Sequence, residues 1–138
     1  MTVSARIRAA VDALPIEPHQ RVLEIGCGPG VAARLVAARL TTGHIVAIDR
    51  SSAAVSQAVA GSAAEIEAGR MSVRRTAAED FVLDPAEAPF DLVFALRVGA
   101  LDGRHPALGR RVLQRVAAAT TCGARLFIDD GVELPVPR

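Results

Sequence analysis

Glu24, Gly26, Gly28 and Gly30 stand at alternate positions in the stretch Val22-Leu23-Glu24-Ile25-Gly26-Cys27-Gly28-Pro29-Gly30. Glycines so spaced let a backbone turn sharply and come close to a ligand without Cβ collisions. A helix beginning just behind them would add free N–H groups. These features alone fit either the phosphates of a dinucleotide or an adenosyl sulfonium. Glu24, two residues before the first glycine, separates the two, because a carboxylate there repels a pyrophosphate and suits a cation. The competing dinucleotide alignment, Gly28-Pro29-Gly30-Val31-Ala32-Ala33, puts proline inside the turn and leaves Glu24 without a role. Asp49 is the second acid of interest. It closes the run Ile45-Val46-Ala47-Ile48-Asp49, and a carboxylate at the end of a second strand can accept both hydroxyls of a ribose.

These residues need elements to hold them, and the hydrophobic pattern alternates helix and strand. Val3, Ile7, Ala10, Val11 and Leu14 recur at helical spacing before Pro15. Strands are expected at 21–25, 44–48, 71–75, 91–96 and 124–128, and helices at 31–40, from Ser51 or Ser52 to about Ala68, and from Pro106 to near Thr120. Apolar strands separated by helices call for a parallel sheet covered on both faces. Right-handed crossovers then gather the strand ends and following loops along one edge, where ligands bind. The expectation is one domain over residues 1–138: a three-layer α/β sandwich of Rossmann type, with a mostly parallel sheet of about five strands.

The bulk composition narrows the classes of function. The chain has 138 residues, 51% of them hydrophobic, and a formal net charge of +1, so neither disorder nor long-range attraction to nucleic acid or anionic lipid is expected. All sixteen basic residues are arginines; Arg34, Arg39, Arg110, Arg111 and Arg115 read as a solvated helix face. Tyr and Trp are absent, leaving little to stack on nucleic-acid bases. No apolar run reaches the roughly 20 residues of a membrane span, and residues 1–14 do not look like a secretory signal, so a cytoplasmic protein is expected. Cys27 and Cys122 form no metal or disulfide pattern and read as small apolar fillers. No metal site is expected.

The segment Glu24 to Gly30 resembles the first motif of class I S-adenosylmethionine-dependent methyltransferases, E/D-x-G-x-G-x-G, at every defined position. Phe90-Asp91-Leu92-Val93 resembles the family's fourth-strand motif, and the resemblance covers roughly residues 20 to 130 in the family's order. It implies S-adenosylmethionine as cofactor and a methyltransferase acting on a small molecule. The cofactor-binding residues it implies are Glu24, Gly26, Cys27, Gly28 and Gly30 around the donor's amino-acid portion, with Asp49 and Arg50 at the ribose. Ala78, Glu79 and Asp80 would read adenine, and Leu96 with Arg97 would line the methyl-donor pocket. Asp91 is expected to anchor the start of its strand.

The sequence departs from the family in two places. Ala77 stands where relatives carry a polar side chain before the adenine loop. The family's two last strands, an antiparallel hairpin, have no counterpart in the pattern, so the fifth strand is expected to be an edge shielded by an irregular tail or by a second copy in a homodimer. No catalytic base stands out: of the three histidines only His105 falls on the ligand edge, and Asp129-Asp130 is an acidic pair without obvious partners. The rival reading is a non-catalytic module that binds the cofactor or its demethylated product as a regulatory partner; a nucleotide-dependent oxidoreductase is the third.

Overall fold

The computed structural model describes residues 3–129 and 131–138. Its first half runs α1 (Ala5–Asp12), β1 (Arg21–Ile25), α2 (Val31–Ala37), β2 (His44–Asp49), α3 (Ser52–Gly61), α4 (Ala63–Glu67) and β3 (Met71–Arg75). The second half runs β4 (Phe90–Ala95), α5 (Pro106–Ala119), β5 (Thr120–Ile128) and β6 (Val132–Leu134). One six-stranded sheet has the order β3-β2-β1-β4-β5-β6. Every pairing is parallel except β5 with β6.

The strands alternate their side chains between two apolar layers. Val22, Ile45, Leu92 and Phe94 pack with Val11, Ala33 and Val36 on the side of α1 and α2. Leu23, Val46, Val93 and Leu126 pack with Val112 and Val116 of α5 on the other. The three-layer architecture is therefore as the pattern implied. The same alternation puts Glu24 on the face of Val22, toward α1 and α2. Asp91 anchors its strand: its Oδ2 accepts from the Arg21 N–H at 2.9 Å, locking the entrances of β1 and β4 together.

Four expectations need correction. The tail is not wholly irregular: Val132–Leu134 forms β6 antiparallel to β5, with Leu126 opposite Leu134 and Ile128 opposite Val132. The sheet thus has six strands, a terminal antiparallel pair is present, and the tail itself covers the edge of β5. The strand expected at 124–128 begins earlier, at Thr120 directly after α5, and takes in Gly123, with a register irregularity opposite Phe90–Leu92. The helix expected to run to Ala68 breaks at Ser62, whose buried hydroxyl accepts from Arg34 Nη1 at 3.0 Å. Cys122 is exposed, so only Cys27 is a buried filler.

The helix-face arginines are less idle than a solvated stripe. Arg34 ties α2 to Ser62 and to the Pro29 carbonyl, Arg39 pairs with Asp12 on α1, and Arg115 donates to the Glu79 carbonyl at 3.2 Å. Among the described residues, no helix is long and apolar enough to cross a membrane.

Candidate functional site

The glycine loop is held by the strand beside it. The Gly26 and Cys27 N–H groups both donate to the Ile48 carbonyl, at 2.8 and 2.9 Å, and the Gly30 N–H donates to the Cys27 carbonyl at 3.0 Å. Gly26, Gly28 and Gly30 have φ of +70°, +54° and +88°, a region that costs a side-chain-bearing residue roughly 1–2 kcal/mol. The three serve different ends. A Cβ on Gly26 would lie 2.8 Å from Val98 Cγ2, and one on Gly30 would crowd Ala58 at 3.1 Å, whereas a Cβ on Gly28 would meet nothing within 4 Å. Gly28 therefore faces open space that a ligand can use. Gly30 is the N-cap of α2 and lines neither cavity at the site, so its role is to start the helix.

Asp49 is the clasp between loop and sheet. Its Oδ2 accepts from the Gly28 N–H and its Oδ1 from the Ser51 N–H, both at 2.9 Å. Each oxygen keeps a lone pair for a further donor. Ser51, not Asp49, caps α3, with its hydroxyl accepting from the Ala54 N–H at 3.2 Å.

Glu24 is 2% exposed, and its Oε1 has no hydrogen-bond partner. Burial, helped by the nearby Asp49 charge, pushes its carboxyl up to about 8. A buried carboxylate without a donor is costly; a cationic or N–H-bearing ligand would satisfy it. The Cys27 thiol, in the same turn, is pushed up to about 12 by burial and then by the Glu24 and Asp49 charges, so it stays protonated.

Two cavities flank this loop and share Gly26 and Arg97. The first, about 370 Å³, is lined by Glu24, Gly26, Cys27, Gly28 and Leu96, by Asp129 at the end of β5, and by Ser4, Arg6, Ile7 and Ala10 from the amino-terminal segment and α1. The second, about 400 Å³, is lined by Asp49, Arg50, Thr76–Glu79, Val98–Ala100 and His105. Together they form a trough across the carboxyl ends of β1, β2, β3 and β4, where a parallel sheet collects ligands.

Nearly all the residues expected at the site therefore gather. Besides Gly30, only Asp80 falls outside both cavities. It ends the short 3-10 turn Ala78–Asp80 and faces Arg111 at 3.9 Å, so it is not brought to the site that Ala78 and Glu79 line. Ala77 itself lines the second cavity, which is walled there by backbone and methyl groups. His105 reaches that cavity, whereas His44 is structural: its ring nitrogens contact the Gly69 carbonyl and the Ser72 hydroxyl. Asp130 lies outside the described residues.

Sequence reasoning missed Arg6, Ile7 and Ala10. They belong to the amphipathic helix read from the pattern, but nothing in a helical stripe says that one flank overlooks a cavity. It missed Asp129 as well. That residue (φ +46°) accepts the Arg97 N–H on Oδ1 at 2.8 Å, and Arg97 itself has φ +59°. Two left-handed residues other than glycine, bonded to each other at a cavity wall, mark a strained spot of the kind that collects at functional sites. Among the described residues, no group of three or more His, Cys, Asp or Glu side chains is placed to hold a metal ion.

A family model described as "Methyltransferase domain" matches residues 22–123, well over half of the chain. The chain belongs to the methyltransferase domain family. A curated relative, trans-aconitate 2-methyltransferase of Streptomyces avermitilis, is 35% identical over 89 residues, which are 64% of this chain and 32% of that protein. Among solved structures, a SAM-dependent methyltransferase from Geobacter sulfurreducens in complex with S-adenosyl-L-homocysteine superposes with a TM-score of 0.68 at 19% identity, over 91% of this chain and 47% of its own. The [4+2]-cyclase SpnF superposes with a TM-score of 0.71 at 20% identity, covering 88% and 42%. This methyltransferase domain thus spans about a third of the curated relative and less than half of these structures.

Proposed function

We propose that the domain binds S-adenosylmethionine in the trough and transfers its methyl group to a small molecule. The observation that carries this reading is Glu24: a buried carboxylate with an unpartnered oxygen, beside a glycine loop that leaves open space at Gly28. The donor's ammonium would supply the missing charge and hydrogen bond. A dinucleotide pyrophosphate would instead bring negative charge against a carboxylate already destabilised by burial.

The two cavities divide the donor naturally. Gly26, Cys27 and Gly28 would cradle its amino-acid portion in the first. Asp49, already fixed by the Gly28 and Ser51 N–H groups, would offer its remaining lone pairs to the ribose hydroxyls, with Arg50 beside it. Ala78 and Glu79 would border the adenine. Leu96 would pack near the sulfonium end. When bound, the donor supplies a methyl group on a positively charged sulfur, which departs as a neutral thioether. What this chain contributes is position and exclusion of water, bringing an acceptor atom into line with that methyl group. Similarity to a relative named for trans-aconitate, a small organic molecule, supports a small-molecule acceptor.

Calorimetry decides the ligand class. S-adenosylmethionine and S-adenosylhomocysteine should bind and NAD should not, and Asp49→Ala should weaken the adenosyl ligands by roughly 10-fold or more, the scale of a charge-assisted hydrogen-bond pair. Equal binding of NAD would reject the reading. Donor binding without turnover of any acceptor would instead favour a non-catalytic binding module.

A further inference from the structure

The end of the first cavity is basic, and this bears on what the acceptor must be. Arg6 enters it from α1 and Arg97 from the end of β4. Among the described residues, neither guanidinium has a carboxylate within 4.0 Å. Other arginines are occupied: Arg34 by Ser62 and Pro29, Arg74 by Glu87, Arg115 by the Glu79 carbonyl. Among the described residues, the acids lining the same cavity are Glu24, which is buried and carries the donor-facing role proposed above, and Asp129. Asp129 directs Oδ1 to the Arg97 backbone N–H. The strained pairing of Arg97 with Asp129 thus fixes the main chain at the point the two cavities share, and among the described residues no carboxylate engages the Arg97 guanidinium.

We infer that the methyl acceptor is a small organic acid whose carboxylate is held by Arg97, with Arg6 contributing a second cationic wall. The inference rests on the donor reading above, since it assigns the first cavity's remaining space to the acceptor. A planar guanidinium offers paired N–H donors that match a carboxylate in fork geometry. Because Arg97 borders both cavities, an anion bound to it would lie next to the junction of the donor's amino-acid and ribose halves, which is where a transferable methyl group sits. The flanking Ile7, Ala10, Val31 and Leu96 side chains keep the cavity largely apolar and so strengthen the attraction between guanidinium and carboxylate.

The test uses the protein saturated with S-adenosylhomocysteine, into which trans-aconitate, citrate and succinate are titrated beside the neutral trimethyl ester of trans-aconitate. At least one acid should bind with a Kd below about 10 mM while the ester does not. Arg97→Gly, which suits the left-handed backbone and removes only the side chain, should weaken that acid by roughly 10- to 100-fold. The loss for the acid should exceed any loss for S-adenosylhomocysteine by at least about fivefold. Arg97→Lys should fall between, keeping the charge but losing the fork. Ester binding as tight as the acid, no acid binding at all, or an Arg97→Gly variant that weakens only S-adenosylhomocysteine would each overturn the assignment. If wild-type protein fails to bind S-adenosylhomocysteine in the first step, the donor reading falls and takes this inference with it. That result is separable because no acid has yet been added.

Discussion

At the scale of single residues, Glu24 sets the terms. Its carboxyl is raised from 4.5 to about 8, first by burial and then by the Asp49 charge. Between those values the folded protein holds a proton that the unfolded chain has released. Stability without ligand therefore falls as pH rises from about 4.5 to 8, by on the order of a few kcal/mol. A series of melting curves from pH 5 to 9 should show that decline, and Glu24→Gln should flatten it while raising the melting temperature at pH 8. Ligand binding runs the other way. A donor ammonium selects the ionised carboxylate, so affinity should climb toward pH 8, and binding at pH 7 should release a proton, read as buffer-dependent heat in calorimetry. Binding that weakens from pH 6 to 8 would contradict this. The cysteines make an independent residue-level prediction: iodoacetamide at pH 7.5 should modify the exposed Cys122 and spare Cys27, whose buried thiol is pushed up to about 12.

At the scale of elements, the loop between β1 and α2 concentrates the constraint. Gly26→Ala adds a methyl group 2.8 Å from Val98 Cγ2 and forces alanine to φ +70°. Gly28→Ala meets only the φ cost of about 1–2 kcal/mol, yet its methyl group would point into the open space of the trough. Thermal unfolding should therefore show the larger loss of stability in Gly26→Ala. Gly28→Ala should melt only a few degrees lower yet lose donor affinity disproportionately; if both variants lose binding only in step with stability, the loop is merely a turn. How much of this was legible follows from the same residues. The alternating glycines, Glu24 and Asp49 were readable because each residue type is demanded locally, by a positive φ or by a charge at a strand end. The break at Ser62 was read through although Gly61 stands before it, and the contact that buries the Ser62 hydroxyl comes from Arg34 on α2, outside the local sequence. The outward placement of Asp80 depends likewise on contacts with α5 that no local pattern encodes.

At the scale of the whole molecule, the parallel three-layer sheet followed from alternation of strands and helices, while its strand order and its last strand did not. Val132–Leu134 is three residues long and mostly exposed, and Pro135 and Pro137 interrupt the alternation of Val132, Leu134 and Val136, which demotes the run as a strand signal. It is held by pairing with β5 and by Leu134 and Val136 packing on the core, with Arg125 and Glu133 paired at 2.9 Å on its exposed side. Short, charged and proline-flanked, it is an edge unsuited to pairing with another chain. A variant ending at Gly131 would expose the outer rim of β5 and should self-associate in sedimentation at concentrations where the 138-residue chain does not.

The placement of α1 carries a consequence for how the domain senses its ligand. This helix of eight residues packs chiefly on α2, yet it supplies Arg6, Ile7 and Ala10 to the first cavity. A helix of two turns held chiefly by one neighbour opens at lower cost than the sheet, and its lifting would unroof that cavity without disturbing the strands. Occupancy and docking of the helix are then one linked equilibrium, since whatever binds only the roofed form holds the roof down. Amide hydrogens of residues 8–13 should exchange more slowly once S-adenosylhomocysteine is added, making α1 a gauge of a site formed mainly by the strands that follow it.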